Sequence, residues 1–149
     1  MLDCRISAAT RRFAVLGESL GHTWSPQIHN SLFAAAGVDA IYLPMTVPRA
    51  QLSSAVDVLR SCYSGFNVTI PYKERIIPLL DEVDSAVLAC GAVNTVENRE
   101  GRLIGHITDG LGMLFYQAVE AERFWFGSDT LAPNQVQQQI YLELLAHMA

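Results

Sequence analysis

The stretch Gly65-Phe66-Asn67-Val68-Thr69-Ile70-Pro71-Tyr72-Lys73-Glu74 constrains the fold more than any other. Its first half alternates apolar Phe66, Val68 and Ile70 with polar Asn67 and Thr69, the period of a half-buried strand. Pro71 stops that strand and suits the first turn of a helix carrying Ile76, Ile77, Leu79 and Leu80. Thr69 then falls near the carboxyl end of a strand, and Lys73 in a first helical turn. In open α/β sheets ligands bind at strand ends. A helix amino terminus favours anions by about 0.3–1 kcal/mol, so a lysine there gains nothing in stability. Lys73 reads either as a solubilising surface charge or as a group that binds an anion or donates a proton.

Strands and helices alternate around this stretch. Residues 12–17 (RFAVLG) are an apolar run ending in glycine, the pattern of a buried parallel strand. A polar loop, residues 18–24, leads to Ser25-Pro26, which opens a helix with serine at the N-cap and proline at the first position. Ile28, Leu32, Phe33 and Ala36 form its buried stripe, and Gly37 stops it. Residues 40–47 form the second strand, and Pro48 introduces a helix with Leu52, Ala55, Val56 and Leu59 on one face. Asp84 or Ser85 caps a short helix that runs through Cys90 and ends at Gly91. Residues 92–97 and 102–107 are strand-like runs around Asn98-Arg99-Glu100-Gly101, a hairpin. Leu114, Ala118, Ala121 and Trp125 mark a further helix ended by Gly127. The last helix starts at Leu131-Ala132-Pro133, with Val136, Ile140 and Leu144 on one face and a polar, solvated run at 135–139. The expected fold class is α/β: a three-layer αβα domain whose mainly parallel sheet contains one antiparallel strand, closed by C-terminal helices. Residues 1–149 are expected to form one domain, with 12–109 as the core and 110–149 as helices packed on it.

Composition fits that expectation. Half of the 149 residues are hydrophobic, enough for a core that buries about 68–70% of the unfolded surface. The formal charge of −5 argues against a nucleic-acid surface, and no apolar run approaches the length of a membrane span. Residues 1–12 have no apolar core, so they read as a frayed arm and not as a secretory signal. Cys4, Cys62 and Cys90 are odd in number and lack CxxC spacing, which reads as reduced, buried thiols in a cytoplasmic protein with no metal site.

Four places could carry chemistry. Thr23 and Ser25 put two hydroxyls on one short loop, and Ser25 can cap its helix and still face a ligand. Asn94 falls inside a strand-like run where asparagine is disfavoured, so its amide either makes a local turn bond or points into a cleft. Asp109 follows a strand and precedes a helical stretch; it is an N-cap or the partner of Lys73 in a charged dyad that passes a proton. Lys73 is the fourth. His22 and His29 lie seven apart with no carboxylate motif and read as surface or packing histidines. Gly110-Leu111-Gly112 lacks the third glycine and a preceding strand interior, so no dinucleotide site is expected.

Four blocks in order, residues 17–30 (GESLGHTWSPQIHN), 65–74 (GFNVTIPYKE), 91–95 (GAVNT) and 108–110 (TDG), closely resemble the shikimate dehydrogenase family. That family, part of aromatic amino acid biosynthesis, reduces 3-dehydroshikimate to shikimate with NADPH. The resemblance implies that Lys73 is the catalytic lysine and Asp109 its partner, and that Thr23 and Ser25 hold the substrate carboxylate. It also implies that Thr69 and Asn94 contact ring substituents. Residues 112–118 resemble the family's carboxy-terminal helix, with Gln117 at its substrate-contacting glutamine. Thr23 stands where serine is usual, and Ile107 where asparagine is common. The nucleotide-binding Rossmann module is not recognisable between the blocks, as though the first domain were spliced to the last helices near residues 109–111.

The resemblance therefore implies a domain that binds shikimate or 3-dehydroshikimate but transfers no hydride alone, with NADP belonging to the full-length family and no cofactor in this chain. Two alternatives stand beside it. Another chain could supply the nucleotide domain to give a working NADP-dependent dehydrogenase, or the chain could be a non-catalytic assembly scaffold that self-associates through apolar surface near the junction.

Overall fold

The computed structural model of the chain describes residues 6–108 and 114–148. Six strands form one sheet: β1 (Arg11–Gly17), β2 (Ala40–Thr46), β3 (Gly65–Val68), β4 (Glu82–Val83), β5 (Thr95–Arg99) and β6 (Arg102–His106), in the order β2-β1-β3-β5-β6-β4. β1 pairs parallel with β2 and β3, and β4 pairs parallel with β6. β5 runs antiparallel to both its neighbours, so it is the one reversed strand among those described. Among the described residues the α-helices are α1 (Ser25–Ala36), α2 (Leu52–Cys62), α3 (Ser85–Cys90), α4 (Leu114–Phe126) and α5 (Asn134–Met148).

The expected αβα layering follows from β1, whose residues 13–17 are all buried. Ala14 and Leu16 pack with Leu52, Ala55, Val56 and Leu59 of α2. Phe13 and Val15 face the other way, onto Phe33 of α1 and Ala121 and Trp125 of α4. Period two in the strand thus feeds two separate cores. α4 comes close because of Gly65: a Cβ there would lie 2.5 Å from the Trp125 indole. The indole N–H donates to the Val96 carbonyl at 3.1 Å. Ile28 and Leu32 of α1 pack against Phe115, Ala118 and Val119 of α4, and Ile140 and Leu144 of α5 lean on the same cluster. Pro44 sits within β2, the edge strand, where a missing ladder donor is tolerated.

Several expectations need correction. No α-helix carries Lys73: residues 70–76 run as turns, followed by a single 3-10 turn over Ile77–Leu79. Pro78 explains this, because inside a helix it would remove a hydrogen bond and clash with the preceding turn. The apolar spacing instead serves Tyr72 and Ile76, both fully buried, and Leu80 leads into β4, a strand too short to announce itself. The helix-field argument for Lys73 lapses with the helix. Residues 6–12 are not a frayed arm: β1 begins at Arg11, and Thr10 donates to Asp39 at 2.8 Å. Residues 92–94 precede β5 and are not part of it. Cys62 and Cys90 are exposed free thiols, not buried ones.

Other local readings agree with the structure. Gly37 and Gly91 end their helices in the left-handed conformation, at φ 67° and 72°. Asp84 caps α3 by accepting from the Val87 N–H at 2.9 Å. Glu100 and Gly101 turn the β5–β6 hairpin with φ of 53° and 91°. No helix among the described residues is long and apolar enough to cross a membrane.

Candidate functional site

A cavity of about 130 Å³ opens at the carboxyl ends of β1 and β3, under α4. Thr23, Ser25, Thr69, Lys73, Asn94 and Gln117 all line it. Six of the seven residues singled out in the sequence therefore meet, from segments as far apart as the β1–α1 loop and α4. The seventh, Asp109, lies outside the described residues, so the Lys73–Asp109 dyad has no geometry here. His29, Asn67 and Thr108 also line the cavity, and sequence reasoning had not singled them out for the site. A larger, mostly apolar groove of about 990 Å³ between α1 and α5 contains none of the expected residues apart from the neighbours of Ser25, Trp24 and Pro26.

Each wall has a local cause. The loop after β1 turns at Leu20, whose carbonyl accepts from the Thr23 N–H at 3.2 Å. Ser25 is not the N-cap of α1: Trp24 holds that position and makes no side-chain cap. The Ser25 N–H is instead met by the Thr23 hydroxyl at 3.3 Å, and the two hydroxyls lie 3.3 Å apart. Ser25 is thereby relieved of capping, and its hydroxyl bonds the buried Tyr42 phenol. Burial raises the Tyr42 pKa well above the ordinary phenol value, so the phenol stays protonated.

On the opposite wall the Asn94 amide ties the start of β5 to the chain leaving β6. Its oxygen accepts from the Thr108 N–H at 2.9 Å and the Thr95 hydroxyl at 3.1 Å, while its N–H donates to the Thr108 hydroxyl at 2.9 Å. Both readings of Asn94 hold at once: it makes a local tie and it lines the cavity. Lys73 is anchored through its own backbone, whose carbonyl accepts from the Val93 N–H at 2.8 Å. Lys73 is the only lysine or arginine among the described lining residues. Ile107 is half-buried and packs on the α2-side core.

Beneath these residues lies a buried polar pair. His29 and Glu122 are 1% and 2% exposed, and His29 Nδ1 is 2.9 Å from Glu122 Oε1. Burial holds the His29 pKa down to about 3 and pushes the Glu122 pKa up to about 9. The imidazole stacks on Tyr42 with centroids 4.2 Å apart. His29 is thus a packing histidine, as expected, with one edge at the cavity. The polar alternation in Asn67 and Thr69 was the available signal for Asn67; nothing in sequence pairs His29 with a residue 93 positions on.

Chemically, the cavity offers one cation, several hydroxyls and three amides in a small space. Its volume equals about four water molecules, well under the ~300–1,000 Å³ of sites for drug-sized ligands. Such a set suits a small anion rich in hydroxyls.

Comparison with known proteins points the same way. The sequence pattern of the shikimate dehydrogenase substrate binding domain matches residues 15–96. The shikimate dehydrogenase (NADP(+)) of Carboxydothermus hydrogenoformans is 44% identical over 111 residues, 74% of this chain and 40% of that protein. Shikimate 5-dehydrogenase of Listeria monocytogenes, solved in complex with shikimate and NAD, superposes with a TM-score of 0.70 at 39% identity, over 72% of this chain and 38% of that one. The Thermus thermophilus enzyme, solved in complex with shikimate, gives a TM-score of 0.67 at 37% identity, over 74% and 42%. The chain spans about two fifths of the length of these relatives.

Proposed function

This chain belongs to the shikimate dehydrogenase substrate-binding domain family, and we propose that its cavity binds shikimate or 3-dehydroshikimate without transferring hydride by itself. The observation that carries the reading is the meeting of Thr23, Ser25, Thr69, Lys73, Asn94 and Gln117 around one small polar cavity. Thr23 and Ser25 receive the ring carboxylate, two hydroxyl donors for one acceptor-only group. Thr69, Asn94 and Gln117 meet the ring substituents. Lys73, with Asp109 as the second member of the proton-passing pair, bonds the oxygen that is a ketone in one ligand and an alcohol in the other. An ammonium there supplies the proton that the carbonyl oxygen needs when a hydride arrives at its carbon.

The hydride itself is nicotinamide chemistry, which a protein only orients. Among the described residues, chain leads from strand into helix at 18–24, 47–51 and 84, and these turns hold one glycine, Gly21. A pyrophosphate cradle of the GxGxxG kind does not fit any of them. The chain's own contribution is then recognition and proton placement. Calorimetric or NMR titration of the purified chain with shikimate tests this. Saturable binding is expected, with Lys73→Ala weakening it by roughly ten- to a hundredfold, the value of a hydrogen bond to a charged group. No saturable change at roughly millimolar ligand, or an unchanged response in Lys73→Ala, defeats the reading.

A second reading follows from the chain's two-fifths coverage of its relatives: another chain supplies the nucleotide-binding part. NADP-dependent turnover on adding such a partner would favour it over recognition alone.

A further inference from the structure

The buried pair beneath the cavity is tied to the ligand-facing hydroxyls by a directed chain of hydrogen bonds. Asn67 is its pivot. The Asn67 amide nitrogen donates to the Asn94 carbonyl and to the Thr95 hydroxyl, each at 3.1 Å, which uses both its hydrogens. What Asn67 turns towards Tyr42 is its oxygen, which accepts from the phenol at 2.7 Å. The same amide is hydrogen-bonded to His29. An accepting oxygen there calls for a hydrogen on His29 Nε2. A neutral imidazole protonated at Nε2 has a bare Nδ1, so its partner Glu122 Oε1, 2.9 Å away, brings the hydrogen. The alternative, an imidazolium facing a carboxylate, would place two charges at 1% and 2% exposure, which burial disfavours. Glu122 is then an uncharged carboxylic acid, the form its burial also favours.

We propose that Glu122 is a positioning residue for the cavity: as an uncharged acid bonded to His29 it locks the orientation of Asn67 and Tyr42 behind Ser25, and it keeps negative charge away from the site where the ligand carboxylate docks. The proposal rests on the reading of the cavity as a carboxylate site. With the Tyr42 hydrogen committed to Asn67, the Ser25 hydroxyl is left to donate to that phenol, to the Thr23 hydroxyl or to a ligand. Once the pair has lost a proton to solvent, ionised Glu122 beside a neutral imidazole would pull the imidazole hydrogen to Nδ1 and leave Nε2 bare against the Asn67 oxygen. Rotating Asn67 to relieve that contact would set its oxygen against the Asn94 carbonyl. The cost of both arrangements falls on the ionised form. A carboxylate ligand and an ionised Glu122 therefore oppose each other, and binding either proton or ligand favours the other.

The remaining charged and titratable groups around the pair are accounted for. Tyr42 of β2 stacks on the imidazole, and Lys73 lines the same cavity as His29. Arg11 of β1 donates to the Trp125 carbonyl at 3.4 Å, and Glu120 and Arg123 of α4 pair with each other at 2.7 Å.

The test compares the 149-residue chain with Glu122→Gln and Glu122→Leu. Long-range ¹H–¹⁵N spectra without ligand should put the His29 hydrogen on Nε2 in the parent chain and in Glu122→Gln, whose amide N–H replaces the acid as donor, but not uniquely in Glu122→Leu. Shikimate affinity should stay within about twofold in Glu122→Gln and fall by about tenfold in Glu122→Leu, the cost of an unmet buried polar group. Between about pH 7 and pH 10 the parent chain should lose more affinity than Glu122→Gln, because only the parent develops a buried anion. Should Glu122→Leu fail to fold, the parent and Glu122→Gln decide by this pH difference. A His29 hydrogen on Nδ1 in the parent chain, whether Nε2 is bare or also protonated, overturns the proposal, as does wild-type affinity with an unchanged His29 spectrum in Glu122→Leu. An Nε2 hydrogen in a chain that ignores shikimate removes the carboxylate-site reading while supporting the lock, which is read without ligand.

Discussion

The two faces of β1 are built from alternate residues of one strand and differ in kind. Towards α2, Ala14 and Leu16 join a cluster of apolar side chains, with Leu59, Phe66, Val96 and Leu103 fully buried. Towards α1 and α4, Phe13 and Val15 share their layer with Tyr42 and Trp125, against which the His29 ring packs, and His29 is bonded to Glu122. The first face asks only for volume and hydrophobicity. The second buries ionisable groups that must be matched in hydrogen bonds to be tolerated at all. Stability comes from the first, and the cavity is built on the second.

The largest effect that separates them is expected from Leu59→Ala. It should cost about 2–5 kcal/mol through lost burial and an unfilled hole, read by urea denaturation, with the same cost at every pH between about 5 and 8. A pH-dependent cost would show that the apolar face is coupled to the polar one.

Next comes the pH dependence of stability itself. Unfolded His29 and Glu122 titrate near 6.5 and 4.5, and folded ones near 3 and 9. Between about 4.5 and 6.5 both states hold two protons on this pair, so its contribution is flat. Above 6.5 the unfolded chain releases the His29 proton while the folded pair keeps both, and stability falls until about 9. Below 4.5 the unfolded chain takes up a third proton, and stability falls towards about 3. The proton count is the same whether the pair is two neutral groups or an ion pair. The loss by pH 9 should be about 3 kcal/mol, measured as denaturation midpoints across pH, and Glu122→Leu should abolish the alkaline limb. An alkaline limb that survives in Glu122→Leu would assign it elsewhere.

The smallest effect on the fold is expected from Ser25→Ala. Since Ser25 caps nothing, only its bonds to Tyr42 and Thr23 are lost, and stability should fall by no more than about 1 kcal/mol. Shikimate affinity should nevertheless fall by roughly tenfold or more, as for a lost hydrogen bond to a carboxylate. Thermal melts and titration on the same preparation separate the two.

What was legible in the sequence was what short-range chemistry dictates. The buried stripe Leu52, Ala55, Val56 and Leu59 of α2 came from its spacing, because a helix facing a sheet needs one apolar side. The stops at Gly37 and Gly91 came from the tolerance of glycine for positive φ, and the α3 cap from the side chain of Asp84. Local chemistry failed where two local signals competed. Apolar spacing in 76–80 argued for a helix, and Pro78 prevailed. Ser25 was expected to cap α1, but Trp24 holds that position and the Thr23 hydroxyl takes the Ser25 N–H.

By itself, then, the sequence determined the αβα class, the single reversed strand and the block pattern that assigns the family, since these depend on periodicity, turn residues and short motifs. Tertiary structure alone decided that six of the seven expected side chains share one cavity, and that His29, Asn67 and Glu122 stand behind it. The physical reason is distance along the chain. Hydrogen bonds reach about 3 Å, and only the folding of α4 over the ends of β1 and β3 brings residues 93 positions apart within that reach.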